Sequence, residues 1–324
     1  MYDAMASAPL GDDVLGDEPT VQKLEELAAD KMGKESSVFV PSGTMANQIA
    51  LATHTNRGDS VLIEDQAHML FYEAAGPAVI AGVLPRSMYA KEGVVPPDEI
   101  RARCLHHDEH TPGTTLVCFE NTHNRHGGAV TDVEHHRNYR EICDELGLKI
   151  HLDGARVFNA SVALGVDVRE ITKHVDTVSF CLSKGLSSPV GSLLCGSKDF
   201  IAEARLWRKR LGGGMRQAGI LAACGIVSLN AMVDRLAEDH ARCARLHDGC
   251  AEVDGLKPRP SMTNILIVDT AALAGDWQDR LNHEGVLCFS AGVNSLRFVT
   301  HRGVDDDGIS FALETIERLA GDFC

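Results

Sequence analysis

Residues 148–156 read Leu148-Lys149-Ile150-His151-Leu152-Asp153-Gly154-Ala155-Arg156, a short apolar strand that ends on a carboxylate, a glycine and an arginine. Ligands in open α/β sheets sit at the carboxyl ends of the strands, so Asp153 can face a cationic ring nitrogen and Arg156 an anion. The same residues also read as a helix N-cap with its paired arginine. Outward in both directions the pattern repeats. Strands are predicted at 37–40, 60–63, 114–119, 177–182 and 192–195, with helices at 44–53 and 132–146. A further helix opens at Pro19, carries Val21, Leu24, Leu27 and Ala28 on one face, and stops at Gly33. Strand, helix and strand at these spacings imply right-handed crossovers in a mostly parallel sheet covered on both faces, hence an α/β large domain.

Near Arg235 the texture changes to a long charged helix (231–252). Pro258 and Pro260, strands at 264–268 and 296–300, and a helix from Asp305 follow. The expected organisation is an arm (1–17), a large domain (18–235) and a smaller α+β domain (236–324) joined by the long helix.

The chain has 324 residues, 44% of them hydrophobic, with 31 Lys plus Arg against 46 Asp plus Glu and a net charge of −15. Roughly three quarters of the unfolded surface can be buried at this length, which excludes disordered and fibrous classes. Ten thinly spread lysines form no basic stripe, so neither nucleic acid nor an anionic membrane is an expected partner. The ten cysteines lack a C-x-x-C pair and several lie in apolar runs, which reads as reduced thiols in a cytoplasmic protein. Residues 217–233 are uncharged but short of a bilayer span, and read as a core helix.

Three more loops at strand ends carry chemistry. Ser42-Gly43-Thr44 opens a helix directly after a strand and suits a phosphate, although the same turn serves as an ordinary N-cap. Ser183-Lys184-Gly185 follows a buried strand, where desolvation lowers a lysine's pKa toward a nucleophilic, Schiff-base-forming amine. Glu120-Asn121-Thr122-His123-Asn124 closes another strand with an imidazole that can act as acid, base or donor. A phosphate cradle, an acid for a ring nitrogen, an amine and an imidazole together make a site for pyridoxal 5′-phosphate.

The chain resembles the threonine aldolase branch of the β-eliminating lyase family, pyridoxal-phosphate enzymes of fold type I, from about Gly11 to Asp322. The resemblance rests on Gly11-Asp12-Asp13-Val14, Ser42-Gly43-Thr44-Met45-Ala46-Asn47-Gln48, Asp65-Gln66-Ala67-His68, Glu120-Asn121-Thr122-His123-Asn124 and His151-Leu152-Asp153-Gly154-Ala155-Arg156. Ser183-Lys184-Gly185-Leu186, Gly212-Gly213-Gly214-Met215-Arg216-Gln217 and Arg297-Phe298-Val299-Thr300-His301 complete it. It implies that Lys184 forms the internal aldimine, Asp153 pairs with the pyridinium nitrogen, Ser42, Gly43, Thr44 and Ser183 surround the phosphate, and His68 stacks on the ring. It further implies that Arg156 and Arg297 bind the substrate carboxylate, His123 sits near the β-hydroxyl, and Arg216 reaches a neighbouring subunit's phosphate in a tetramer built from dimers. The group that takes the β-hydroxyl proton stays open among His123, His68 and a phosphate-bound water. The implied reaction is retro-aldol cleavage of L-threonine and L-allo-threonine to glycine and acetaldehyde.

Two departures bear on the substrate end. Family members carry an Arg-Ser-Asp-Thr segment ahead of Gly-Asp-Asp, whereas Met1 here lies ten residues before Gly11, so a chain short of that contact is expected; Leu15 stands where the family has an aromatic residue. These leave two alternatives: a lyase or aldolase for another β-hydroxy or β-substituted amino acid, and a non-catalytic pyridoxal-phosphate-binding scaffold. The run His106-His107-Asp108-Glu109-His110 reads as a solvated loop, and no metal site is expected. Asp305-Asp306-Asp307 reads as a helix cap, and Arg205, Arg208, Lys209 and Arg210 as a solvated helix face.

Overall fold

In the strand Thr114–Glu120, Leu116 and Cys118 enter one apolar cluster while Val117 and Phe119 enter another. That two-residue alternation, apolar on both sides, is what a strand covered on both faces requires. It recurs at Val61/Leu62/Ile63 and at Leu193/Leu194/Cys195. Burying each such side chain is worth about 1.5–3 kcal/mol relative to exposure. The computed structural model describes residues 1–321; Asp322 and Cys324, at the end of the sequence match and of the 236–324 segment, lie outside the described residues.

Seven strands, β1 (Ser36–Val40), β2 (Ser60–Glu64), β3 (Leu84–Met88), β4 (Thr114–Glu120), β5 (Lys149–Asp153), β6 (Thr177–Cys181) and β7 (Ser192–Gly196), form one sheet in the order β1-β7-β6-β5-β4-β2-β3. β7 is antiparallel to both its neighbours and every other pair is parallel. Helices Pro19–Met32, Val133–Leu146 and Gly219–Ala231 share the larger core cluster, and Gly43–His54 and Lys198–Arg210 pack on the other face. The helix ends follow the local chemistry: Pro19 opens one, Asp132 accepts from the His135 amide at 2.8 Å, and Gly33 and Gly147 stop their helices with left-handed caps.

A second, fully antiparallel sheet runs β10 (Phe289–Gly292), β11 (Ser295–Val299), β9 (Ile265–Thr270), β8 (Leu256–Pro258). Its core gathers Leu266, Val268, Trp277, Leu281, Leu296, Phe298 and Ile316. Hydrogen bonds from Thr263 Oγ1 to the Gly128 carbonyl (3.0 Å) and from Arg297 Nη2 to Asn124 Oδ1 (2.7 Å) tie the two sheets together.

Several sequence expectations change. The charged helix expected over 231–252 is Leu236–Ala251, and it meets the core helix expected over 217–233, Gly219–Ala231, at a 72° bend. Neither is long and apolar enough to cross a membrane, nor is any other single helix among the described residues. Residues Tyr2–Ala6, expected as irregular arm, form a short helix against Gly219–Ala231. β3 escaped the sequence reading because Leu-Pro-Arg-Ser-Met is an edge strand, half exposed and proline-bearing. β8 and β10 are edge strands of three and four residues. Arg208 leaves the expected solvated face: it is 7% exposed, ion-pairs with Asp13 at 2.9 Å and donates to the Phe39 carbonyl. Arg205 pairs with Glu25. Asp305 caps the last helix through the Gly308 amide at 2.8 Å.

Gly128 has φ +72°, and a Cβ there would lie 2.2 Å from Thr263 Oγ1. Gly128→Ala therefore combines backbone strain with a clash at the junction of the sheets and lowers stability by about 2 kcal/mol or more. Urea denaturation checks it, and an unchanged midpoint would contradict the junction.

Candidate active site

Three parallel neighbours, β2, β4 and β5, close on buried carboxylates: Glu64, Glu120 and Asp153. Glu120 and Asp153 lie opposite each other in register. Three acids at one sheet edge are costly to bury unless each finds donors. Glu120 finds two amides, from His68 (2.6 Å to Oε2) and Asn124 (2.8 Å to Oε1), so one side chain fixes two loops. Burial pushes its carboxyl above the ordinary range.

Asp153, 3% exposed, accepts from the Ala155 amide at 3.0 Å and from Asn47 Nδ2 at 2.8 Å. The same Asn47 nitrogen donates to Glu73 Oε1 at 2.9 Å, and Gln48 Nε2 donates to Glu73 Oε2 at 2.5 Å. Glu73 in turn faces His68 Nδ1 at 2.9 Å. This hydrogen bond, with the nearby Asp153 charge, raises the His68 pKa against the opposing pull of burial. Ala74 and Ala75, directly after Glu73, both have left-handed φ (50° and 59°), a strained turn that presents the carboxylate to Asn47 and His68.

Two carboxylates on Asn47 Nδ2 settle the amide's orientation, because only the NH2 end can donate to both. Its Oδ1 then accepts from Ser179 Oγ (2.8 Å) and from His151 Nε2 (3.2 Å). His151 Nδ1 must therefore accept from Thr177 Oγ1 at 2.9 Å, and Thr177 accepts from His54 Nε2 at 2.8 Å. Burial holds both imidazoles neutral, pushing His151 down to about 4 and His54 to about 3. The chain of bonds runs beneath Asp153 with every donor and acceptor direction fixed.

Lys184 lies three residues beyond the end of β6, half-buried and close enough to His68 to interact electrostatically. Ser183 beside it is exposed. Ser42 caps the helix Gly43–His54 through the Met45 amide at 3.2 Å. The amides of Gly43 and Thr44 belong to the first turn and have no intrahelical acceptor, which is the arrangement an anion uses. A Cβ on Gly43 would stand 2.8 Å from Cys181 Sγ, so only glycine lets the helix start this close to β6.

Arg156 follows Asp153, and Arg297 arrives from β11 of the small sheet; both donate to Asn124 Oδ1, at 3.4 and 2.7 Å. The Nε atoms of both are buried without a hydrogen-bond partner. Burial, and for Arg297 also the neighbouring Arg156 charge, lowers their pKa values, that of Arg297 to about 10. Two half-buried guanidiniums converging on a single neutral oxygen form a site for an anion with paired oxygens. Arg297 and Asn124 line a 460 Å³ cavity together with His68, Tyr72, Ile267 and Phe289.

Two further expected site residues lie outside that cavity, as Asp153, Arg156 and Lys184 do. His123, 1% exposed, places Nε2 on Glu64 Oε2 at 2.7 Å and does not line that cavity. Arg216 is on the outer surface, 63% exposed and paired with Asp12 at 2.6 Å. The sequence reading gave no role to Glu73, Glu120, Asn124 or Asn47. The last three stand inside motifs singled out there, while nothing local marks Glu73.

The model of the family described as Beta-eliminating lyase matches residues 1–273. The low specificity L-threonine aldolase of Escherichia coli (strain K12) is 41% identical over 96% of this chain and 92% of its own length. The probable low-specificity L-threonine aldolase 2 of Arabidopsis thaliana is 40% identical over 98% and 93%. Among solved structures, a Leishmania major threonine aldolase (TM-score 0.85, 20% identity, 98% of this chain and 95% of that one) shares the fold. A putative L-allo-threonine aldolase from Listeria monocytogenes (0.84, 21%, 98% and 92%) does so too.

In Glu73→Gln the His68 imidazole loses its anionic acceptor, so its titration midpoint, held above the ordinary histidine value, moves to lower pH. Ring-proton NMR through a pH titration reads this directly. A midpoint that stays in place would remove Glu73 as the cause.

Proposed function

The chain belongs to the β-eliminating lyase family, and we propose that it is a pyridoxal-phosphate-dependent low-specificity L-threonine aldolase, cleaving L-threonine and L-allo-threonine to glycine and acetaldehyde. The observation that carries this reading is the pair Arg156 and Arg297, whose buried, unpartnered Nε atoms call for a carboxylate beside the crevice holding Asp153, His68 and Lys184. The residues fit the cofactor: a side-chain amine without an ion-pair or hydrogen-bond partner among the described residues at Lys184, a buried carboxylate at Asp153, and free first-turn amides at Gly43 and Thr44.

When bound, pyridoxal phosphate supplies an electron sink for the electrons of the breaking Cα–Cβ bond. Lys184 is the amine that holds it, and Ser42, Gly43, Thr44 and Ser183 surround its phosphate. Asp153, oriented by Asn47 and the Ala155 amide, holds a proton at the ring nitrogen. Arg156 and Arg297 grip the amino acid's carboxylate, and fixing that end selects which bond at Cα is aligned for cleavage. Of the two imidazoles, His68 lines the cavity and meets ring and substrate, while His123 supports from behind through Glu64.

The same reading makes the protein a cytoplasmic homotetramer, a dimer of dimers in which Arg216 reaches a neighbouring subunit's phosphate. The surface position of Arg216 supports this.

Purified protein supplied with pyridoxal phosphate should release acetaldehyde and glycine from L-threonine and L-allo-threonine. Lys184→Ala should abolish both this and the bound cofactor's visible absorbance. Cofactor binding without acetaldehyde release would sink the aldolase reading in favour of another amino-acid lyase or a scaffold. Arg297→Lys keeps the charge but loses the planar fork, and should raise KM for threonine by about tenfold or more. Steady-state kinetics test it, and an unchanged KM would take Arg297 out of the substrate clamp.

A further inference from the structure

Glu64, His123 and His126 form a cluster outside the cavity that His68 and Arg297 line. Glu64 closes β2, and the two histidines stand three residues apart on a tight hairpin. The hairpin is fixed by the His123–Ala129 bridge and by left-handed Gly127 and Gly128. One donor atom from each of the three residues lies within 4.8 Å of the others. Glu64 is 1% exposed, yet its Oε1 has no hydrogen-bond partner; His126 Nε2, 3.8 Å away, is likewise buried and unpartnered. At 3.8 Å the two cannot hydrogen-bond, and a buried carboxylate oxygen without a donor is costly. Metal–ligand bonds of about 2.0–2.2 Å would let one ion between them satisfy both atoms.

We propose that Glu64, His123 and His126 bind a divalent cation of the zinc class. Two imidazole nitrogens and one carboxylate oxygen are ligands that zinc takes, with a fourth position left for water. His123 Nε2 lies 2.7 Å from Glu64 Oε2 and carries the proton between them; an ion taken by Nε2 displaces that proton, which the unpartnered Nδ1 of the same ring can take up. The carboxyl of half-buried Asp65 interacts with both Glu64 and His126. The same hairpin carries Asn124, the acceptor for Arg156 and Arg297, and Arg125, which lies 3.9 Å over the Phe71 ring and donates to Tyr72 at 2.7 Å. An ion at its root would pin the loop that lines the cavity. The site shares no residue with Asp153 or Lys184 and stands or falls independently of the proposed reaction.

The test uses the full chain, stripped with a chelator and dialysed. Zn²⁺ is titrated by calorimetry, and Co²⁺ by its absorption at wavelengths beyond the cofactor's. The expected result is one ion per chain, with affinity weakened about tenfold or more in His126→Ala and in Glu64→Gln. His107→Ala/His110→Ala, in the exposed 106–110 loop, should leave affinity unchanged. Circular dichroism checks folding. If Glu64→Gln fails to fold, His126→Ala, at a partly exposed position, decides. Absence of uptake, uptake indifferent to His126→Ala, or uptake lost in the 107/110 variant would each overturn the proposal.

Discussion

The side-chain amide of Asn47 lies between two buried carboxylates, donating to Asp153 at 2.8 Å and to Glu73 at 2.9 Å. Neither acid could stay charged so deep in the fold without a donor. One NH2 group serves both, and in doing so it sets the direction of every bond behind it, through Ser179, His151, Thr177 and His54. It also links Asp153 to the His68–Glu73 pair, so the electrostatics of the crevice's two sides are not independent. A polar network whose carboxylates all find donors is rigid, which is what a preorganised site needs.

Around that network the fold places charge where strands end. Because β2, β4, β5 and β6 run parallel, their terminal residues emerge along one edge, and Glu64, Glu120, Asp153 and the loop to Lys184 meet there. The small sheet contributes what the large one lacks, a second guanidinium. Arg297 on β11 faces Arg156 only because the sheets are tied at Gly128, Thr263 and Asn124. The two like charges then share one amide oxygen and keep each Nε unpaired, an arrangement that an anionic ligand completes.

The 121–129 hairpin is the mechanical link. Glu120 holds its base through the Asn124 amide, Glu64 holds His123, and its tip sets Asn124 and Arg125 against the cavity. His123 sits at the base of this hairpin, in the loop that closes β4. Its imidazole is turned to Glu64, an acid on the adjacent strand β2.

By itself the sequence determined the order of strands and helices, the strand-end positions of Asp153 and Lys184, and the helix start at Ser42-Gly43-Thr44. Each of these is written in local periodicity, caps and punctuation. The edge strands β3, β8 and β10 were illegible because short, half-exposed segments carry little period. The bend between Ala231 and Leu236 separates the uncharged helix read over 217–233 from the charged one read over 231–252. Only the tertiary structure decided that Glu73 faces His68, that Asn47 bridges two acids, that Arg156 and Arg297 converge and that His123 turns to Glu64. Those are contacts between segments far apart in the chain, fixed by packing and by the need of each buried charge for a partner.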